Sequence, residues 1–67
     1  MLDAIIVGEK IKMTTSITSD YPVSSTATIL YIDEYDMVSI EWNEDGRLST
    51  FSDRQVLDNF EKVKTGA

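Results

Sequence analysis

The 67-residue chain has no cysteine and no histidine, and it holds only one proline, one tryptophan and three glycines. Without cysteine, neither a disulfide nor a thiolate metal ligand can staple the fold, and packing alone must hold it. Without histidine the usual general base near neutral pH is missing, and so is the commonest zinc ligand, which removes most nucleophilic triads and transition-metal sites. Gly8, Gly46 and Gly66 are too scattered to form a phosphate-binding loop. Long apolar runs are missing too. The longest near the start is Ala4-Ile5-Ile6-Val7, far short of the roughly 20 residues a membrane span needs. Asp3 and Glu9 flank it where a secretion signal would carry positive charge, so the expectation is a cytoplasmic protein with no membrane role.

What is present fits one small domain. A chain of this size buries only about 60 % of the surface its unfolded form exposes, enough for one core but not for a core plus an enclosed catalytic cleft. The domain is expected to span residues 1–64, with 65–67 fraying. Hydrophobic residues make up 42 % and charged residues 27 %, which is too apolar for a disordered chain.

Positive charge is scarce, and the net charge of −6 is concentrated. Asp33, Glu34, Asp36, Glu41, Glu44 and Asp45 lie in one stretch without a Lys or Arg, while the acids and bases elsewhere cancel. Read along the chain, this is the charge of one hairpin. Such a patch repels phosphate backbones and suits a partner with a basic surface. Turn chemistry and resistance to edge-to-edge aggregation would place acids there equally well.

Strand signals recur in short β-branched and aromatic runs. Val7 to Met13 alternates after its glycine, with Ile11 and Met13 on one face and Lys10 and Lys12 on the other. Thr14 to Ser25 is rich in Thr and Ser and contains Asp20-Tyr21-Pro22. Pro22 forbids a central strand there, so a long ordered loop is expected, of a length that often carries binding. Thr26 to Ile32 is apolar on both faces, as a central strand would be. Asp33 to Asp36 forms a tight connection. Val38, Ile40 and Trp42 then alternate with Ser39, Glu41 and Asn43, the clearest period of two in the chain, and this aims Trp42 at the core. Asn43-Glu44-Asp45-Gly46 suits a hairpin loop with Gly46 at positive φ, and Arg47 to Ser52 returns as a fourth strand. Ser52 and Gln55 have the spacing of a capping box. One or two turns of helix, α or 3₁₀, should therefore carry Val56, Leu57 and Phe60, before a last strand from Phe60 to Lys64.

This order, with Val7-Gly8-Glu9-Lys10-Ile11 opening and Trp42-Asn43-Glu44-Asp45-Gly46-Arg47 as the third hairpin, resembles the SH3-like small β-barrel superfold. The resemblance covers nearly the whole chain and implies an all-β, five-stranded barrel with one short helical turn before the last strand. It does not choose a function, since such barrels bind peptides, methylated side chains, RNA or subunits. Strand one lacks the aromatics of a peptide-binding SH3 groove, which would here fall to Tyr21, Tyr31 and Tyr35. An aromatic cage for a cation would need Tyr35, Trp42 and Phe51 with Asp33 or Glu41, against the inward register of Trp42.

Chemistry finds little support. Glu41-x-Asn43-x-Asp45-Gly46 imitates the start of a calcium loop, but Ser52 stands where a bidentate Glu is required, and a hairpin turn explains the same residues. The many Ser and Thr hydroxyls have no candidate base. No enzyme, cofactor or metal is therefore expected. The leading expectation is a non-catalytic adaptor or regulatory module that docks on a larger protein with a basic surface. Asp33, Glu34, Asp36, Glu44 and Asp45 would supply charge, and Tyr35 and Met37 exposed apolar contacts. One alternative is an acidic inhibitor of the phage or mobile-element type that mimics nucleic-acid charge. Another is an RNA- or DNA-binding barrel using Lys10, Lys12, Lys62 and Lys64. Open edge strands leave a homodimer as an option.

Overall fold

The structure, a computed structural model, describes residues 1–63. Its elements follow in the order β1 (Lys10–Met13), β2 (Thr26–Ile32), β3 (Met37–Trp42), β4 (Leu48–Ser52), α1 (Asp53–Asn59) and β5 (Phe60–Lys62). All the pairings are antiparallel and form one sheet in the order β4-β3-β2-β1-β5. The fold class is all-β, with one short helix before the last strand.

The barrel that the resemblance implied does not close. Among the described residues no hydrogen-bonded ladder joins β4 to β5; α1, which links the two in sequence, contacts both. The chain leaves β4 directly into the helix, and β5 spans three residues. The helix is α, and its start is the expected capping box. Ser52 Oγ accepts from the Gln55 N–H at 3.2 Å, and Gln55 Oε1 accepts from the Ser52 N–H at 3.0 Å.

Two boundaries differ from the sequence expectation, and a third falls at the limit of the described residues. β1 begins at Lys10, not Val7, because Gly8 adopts a φ of +89° and the Glu9 N–H turns back to the Ile6 carbonyl at 3.2 Å. β4 begins at Leu48, because Arg47 belongs to the turn, with its carbonyl accepting from the Trp42 N–H. β5 ends at Lys62 within the described residues; its expected end at Lys64 and the expected fraying of 65–67 lie outside them.

The core sits on one face of the sheet. The alternation of β3 puts Val38, Ile40 and Trp42 there, joined by Ala27 and Ile29 from β2, Ile11 and Met13 from β1, and Val56 and Phe60 from the helix and β5. Trp42 is fully buried. Tyr21 stacks on its ring at 4.1 Å with an interplanar angle of 16°, Phe60 lies tilted at 6.1 Å, and the indole N–H donates to Ser49 Oγ at 2.7 Å. The loop from Thr14 to Ser25 is thus ordered by its tyrosine. Its base is tied to β1, with the Met13 N–H donating to Ser25 and the Ser24 N–H to Met13. Leu2 is buried near the helix, where its N–H donates to the Leu57 carbonyl at 2.9 Å.

Candidate functional site

β3 divides the acidic stretch. Asp33, Glu34 and Asp36 lie in the β2–β3 turn and Glu44 and Asp45 in the β3–β4 turn, at opposite ends of a six-residue strand. At about 3.3 Å per residue the two turns are some 17 Å or more apart. The six carboxylates are therefore not one patch. The chain segment is contiguous, but a strand that runs the length of the sheet carries its two ends to opposite rims.

The β2–β3 turn is a rigid knob. Asp33 Oδ1 accepts from the Tyr35 N–H at 2.8 Å and the Met37 N–H at 3.0 Å, and the Asp36 N–H donates to the Asp33 carbonyl at 3.2 Å. Asp36 holds a φ of +61°, a left-handed conformation that aspartate tolerates better than most residues. Its carbonyl accepts from the Asp53 N–H at 2.9 Å, so Asp53 stands beside the turn. Tyr35 projects from the tip with 77 % of its surface exposed, between Glu34 and Asp36, both exposed. Met37 faces away from the core as its register requires, but it is half-buried, not an exposed contact.

The β3–β4 turn has a different task. Asp45 Oδ1 accepts from the Arg47 N–H at 3.0 Å, and its Oδ2 accepts the Tyr21 phenol at 2.7 Å. The hydrogen bonds from Tyr21 and from the Arg47 backbone hold the Asp45 carboxyl below the usual carboxylate range. Burial, and then the bond to Asp45, push the Tyr21 hydroxyl up to about 12. Asp45 therefore fastens the long loop to the hairpin and is turned toward its own chain. Glu44 beside it is exposed. Asn43, which a calcium loop would need as a ligand, uses its amide within the sheet: Nδ2 donates to Thr26 Oγ1 at 3.0 Å, and Oδ1 accepts from Thr28 Oγ1 at 3.1 Å. Among the described residues no three acidic side chains are gathered closely enough to hold a metal ion.

The lysines do not converge on one face. Lys10 and Lys12 share the face opposite the core, whereas Lys62 pairs with Ile11 and so falls on the other. Lys12 is tied to Glu61 at 3.1 Å. Lys64 lies outside the described residues. The aromatic groove and cage do not form either, because Tyr21 and Trp42 are buried against each other. Two features were missed in the sequence. Asp53 joins the β2–β3 turn because the β3–β4 ladder carries it opposite Asp36, a register that counting back from the Gly46 turn would reveal. Tyr31, 55 % exposed, faces outward beside Ser39, because the strand is irregular between Ile29 and Tyr31 and its alternation shifts there.

No family model, no curated protein and no solved structure matches the chain. Among the described residues no helix is long and apolar enough to cross a membrane.

Proposed function

We propose that this protein is a non-catalytic interaction module that docks on a larger protein with a basic surface through its β2–β3 turn. The observation that carries this is the exposed Tyr35 set between Glu34 and Asp36 on a backbone fixed by Asp33, with Asp53 alongside. Tyrosine is enriched among the residues that dominate binding energy, and a rigid turn loses little entropy when it docks. Surrounding carboxylates with no described basic side chain bonded to them would steer a cationic partner. Glu44 belongs to the opposite rim, and Asp45 is engaged with Tyr21, so the docking surface is smaller than the acidic stretch of sequence.

Mimicry of nucleic-acid charge is less well supported, since the uncharged Ser39 and Thr50 lie side by side between the two acidic turns and break any ribbon of carboxylates. The test is affinity purification from the native host with wild-type protein and with a Glu34→Lys/Asp36→Lys variant. The expected result is a partner with a basic surface, released by salt and lost with the variant. A retained partner indifferent to both salt and charge reversal would refute the proposal.

A further inference from the structure

Among the described residues β4 ends the sheet and has a strand neighbour on one side only. The ladder tells which of its backbone groups face outward. The Arg47 carbonyl accepts from Trp42 and the Asp53 N–H donates to Asp36, so Arg47, Ser49, Phe51 and Asp53 turn their N–H and C=O groups to β3. Leu48, Thr50 and Ser52 therefore aim theirs at the open edge. Ser52 alone is engaged there: its N–H by the Gln55 side chain, and its carbonyl, as the helix N-cap, by the first helical amide, which leaves that oxygen one further lone pair. The five residues Leu-Ser-Thr-Phe-Ser carry no charge and no proline, and Leu48 is 61 % exposed. None of the usual devices that discourage strand addition is present within the strand.

We infer that this edge pairs with the same edge of a second copy, antiparallel about a two-fold axis at Thr50. The sequence around β4 is self-complementary in that register. Thr50 faces Thr50 of the copy and exchanges N–H···O bonds with it. The Leu48 N–H meets the Ser52 carbonyl, which leaves the capping bond of Ser52 undisturbed. Ser49 opposes Phe51, covering a side chain that is only partly buried in one chain. At each end Arg47 comes opposite Asp53, a match of opposite charges that a shift in register in either direction removes. In the single chain the Arg47 guanidinium makes only a marginal contact with Asp45, at 4.0 Å. The resulting sheet would be continuous through both copies. It leaves Tyr35, Glu34 and Asp36 at the tip of the β2–β3 turn free but engages Asp53 beside that turn, so the Asp53 variants test the dimer and the Glu34 and Asp36 variants the docking role.

An interface of one short strand per copy is small, so association should be weak and should appear between about 10 µM and about 1 mM. Sedimentation across that range should show a monomer passing to a dimer, and the amides of Leu48 and Thr50 should gain hydrogen-exchange protection with concentration. Thr50→Pro removes an N–H that makes no bond to β3, and Thr50→Lys places charge at the axis. Both variants should stay monomeric at every concentration while keeping the wild-type circular dichroism. Arg47→Asp or Asp53→Arg alone should weaken the dimer about threefold to tenfold, and the double exchange should restore it. A wild-type protein that remains monomeric throughout would overturn the inference and leave the edge to a strand of another protein. A dimer that survives both Thr50 variants, or a double exchange that fails to restore what the single changes lost, would overturn it equally.

Discussion

Tyr21 and Asp45, twenty-four residues apart, are joined by a phenol-to-carboxylate hydrogen bond of 2.7 Å while the Tyr21 ring lies flat on Trp42. One contact thus secures the longest loop, one face of the only tryptophan and the β3–β4 turn together. The two groups perturb each other in opposite directions, and this gives stability a pH dependence. The lowered carboxyl of Asp45 contributes stability that is complete above the ordinary carboxylate range and is lost as pH falls through its own depressed value. The raised hydroxyl of Tyr21 contributes stability that is complete below the ordinary tyrosine value of about 10 and is lost as pH rises toward about 12. Tyrosinate absorbance should show a component with a midpoint near 12 that disappears in Tyr21→Phe. The same variant should shift the acid unfolding midpoint upward. If acid unfolding of Tyr21→Phe and wild type coincided, the bond would not be coupled to folding.

The helix start offers a second, smaller test. Ser52 closes the β4–α1 junction with its hydroxyl, and removing a side-chain cap of this kind costs about 1 kcal/mol. Ser52→Ala should therefore lower the urea midpoint with no change in slope, and Ser52→Asp should restore most of the loss. A loss several times larger would mean that the residue also holds the sheet edge.

Gly46 is a turn position where space and conformation can be separated. A methyl group built there meets no atom within 4 Å, yet φ is +74°, which disfavours every residue with a Cβ. Gly46→Ala should cost about 1 kcal/mol through backbone conformation alone, and Gly46→Asn should cost less, because asparagine tolerates the left-handed region. Equal losses for the two variants would point to a steric cause.

Much of this architecture was legible because the local signals were strong and agreed. Period-two alternation from Val38 to Trp42 had one core-facing solution, Gly46 had one obvious turn to make, and Ser52 with Gln55 formed the capping box their spacing implied. What escaped was set by tertiary geometry. The continuity of the acids from Asp33 to Asp45 concealed their separation, because charge was counted along a strand whose ends lie on opposite rims. The partnership of Asp45 with Tyr21 crosses from one turn to a distant loop, and no local pattern marks it. Whether β4 pairs with β5 is a long-range matter that periodicity does not report, and among the described residues the two are not paired.

The sole tryptophan reports on the core directly. Its fully buried ring should emit at short wavelength in the native state and resist quenching by acrylamide, with a single cooperative red shift on unfolding. Ser49→Ala would leave the indole N–H without its partner at 2.7 Å, at a cost of about 1–3 kcal/mol. Ready quenching of the native protein would contradict the inward register of β3.

Tyr35 separates stability from docking most cleanly. Its side chain is largely in water, and its backbone N–H, which holds the turn to Asp33, survives any side-chain change. Tyr35→Ala should therefore alter unfolding free energy by no more than about 0.5 kcal/mol, the usual range for an exposed site. A docking anchor behaves otherwise, and truncating a tyrosine at the centre of an interface costs about 2 kcal/mol or more of binding energy. With any partner retained by the wild-type protein, Tyr35→Ala should then weaken affinity roughly thirtyfold, while Tyr35→Phe keeps most of it if ring burial dominates. Asp33→Ala makes the complementary change, because it removes the acceptor for two turn amides and leaves the ring in place. Its binding loss should come with faster hydrogen exchange at the Tyr35 and Met37 amides, as expected of a residue that fixes the turn. An unchanged affinity in Tyr35→Ala, with the fold intact, would remove this turn as the docking surface.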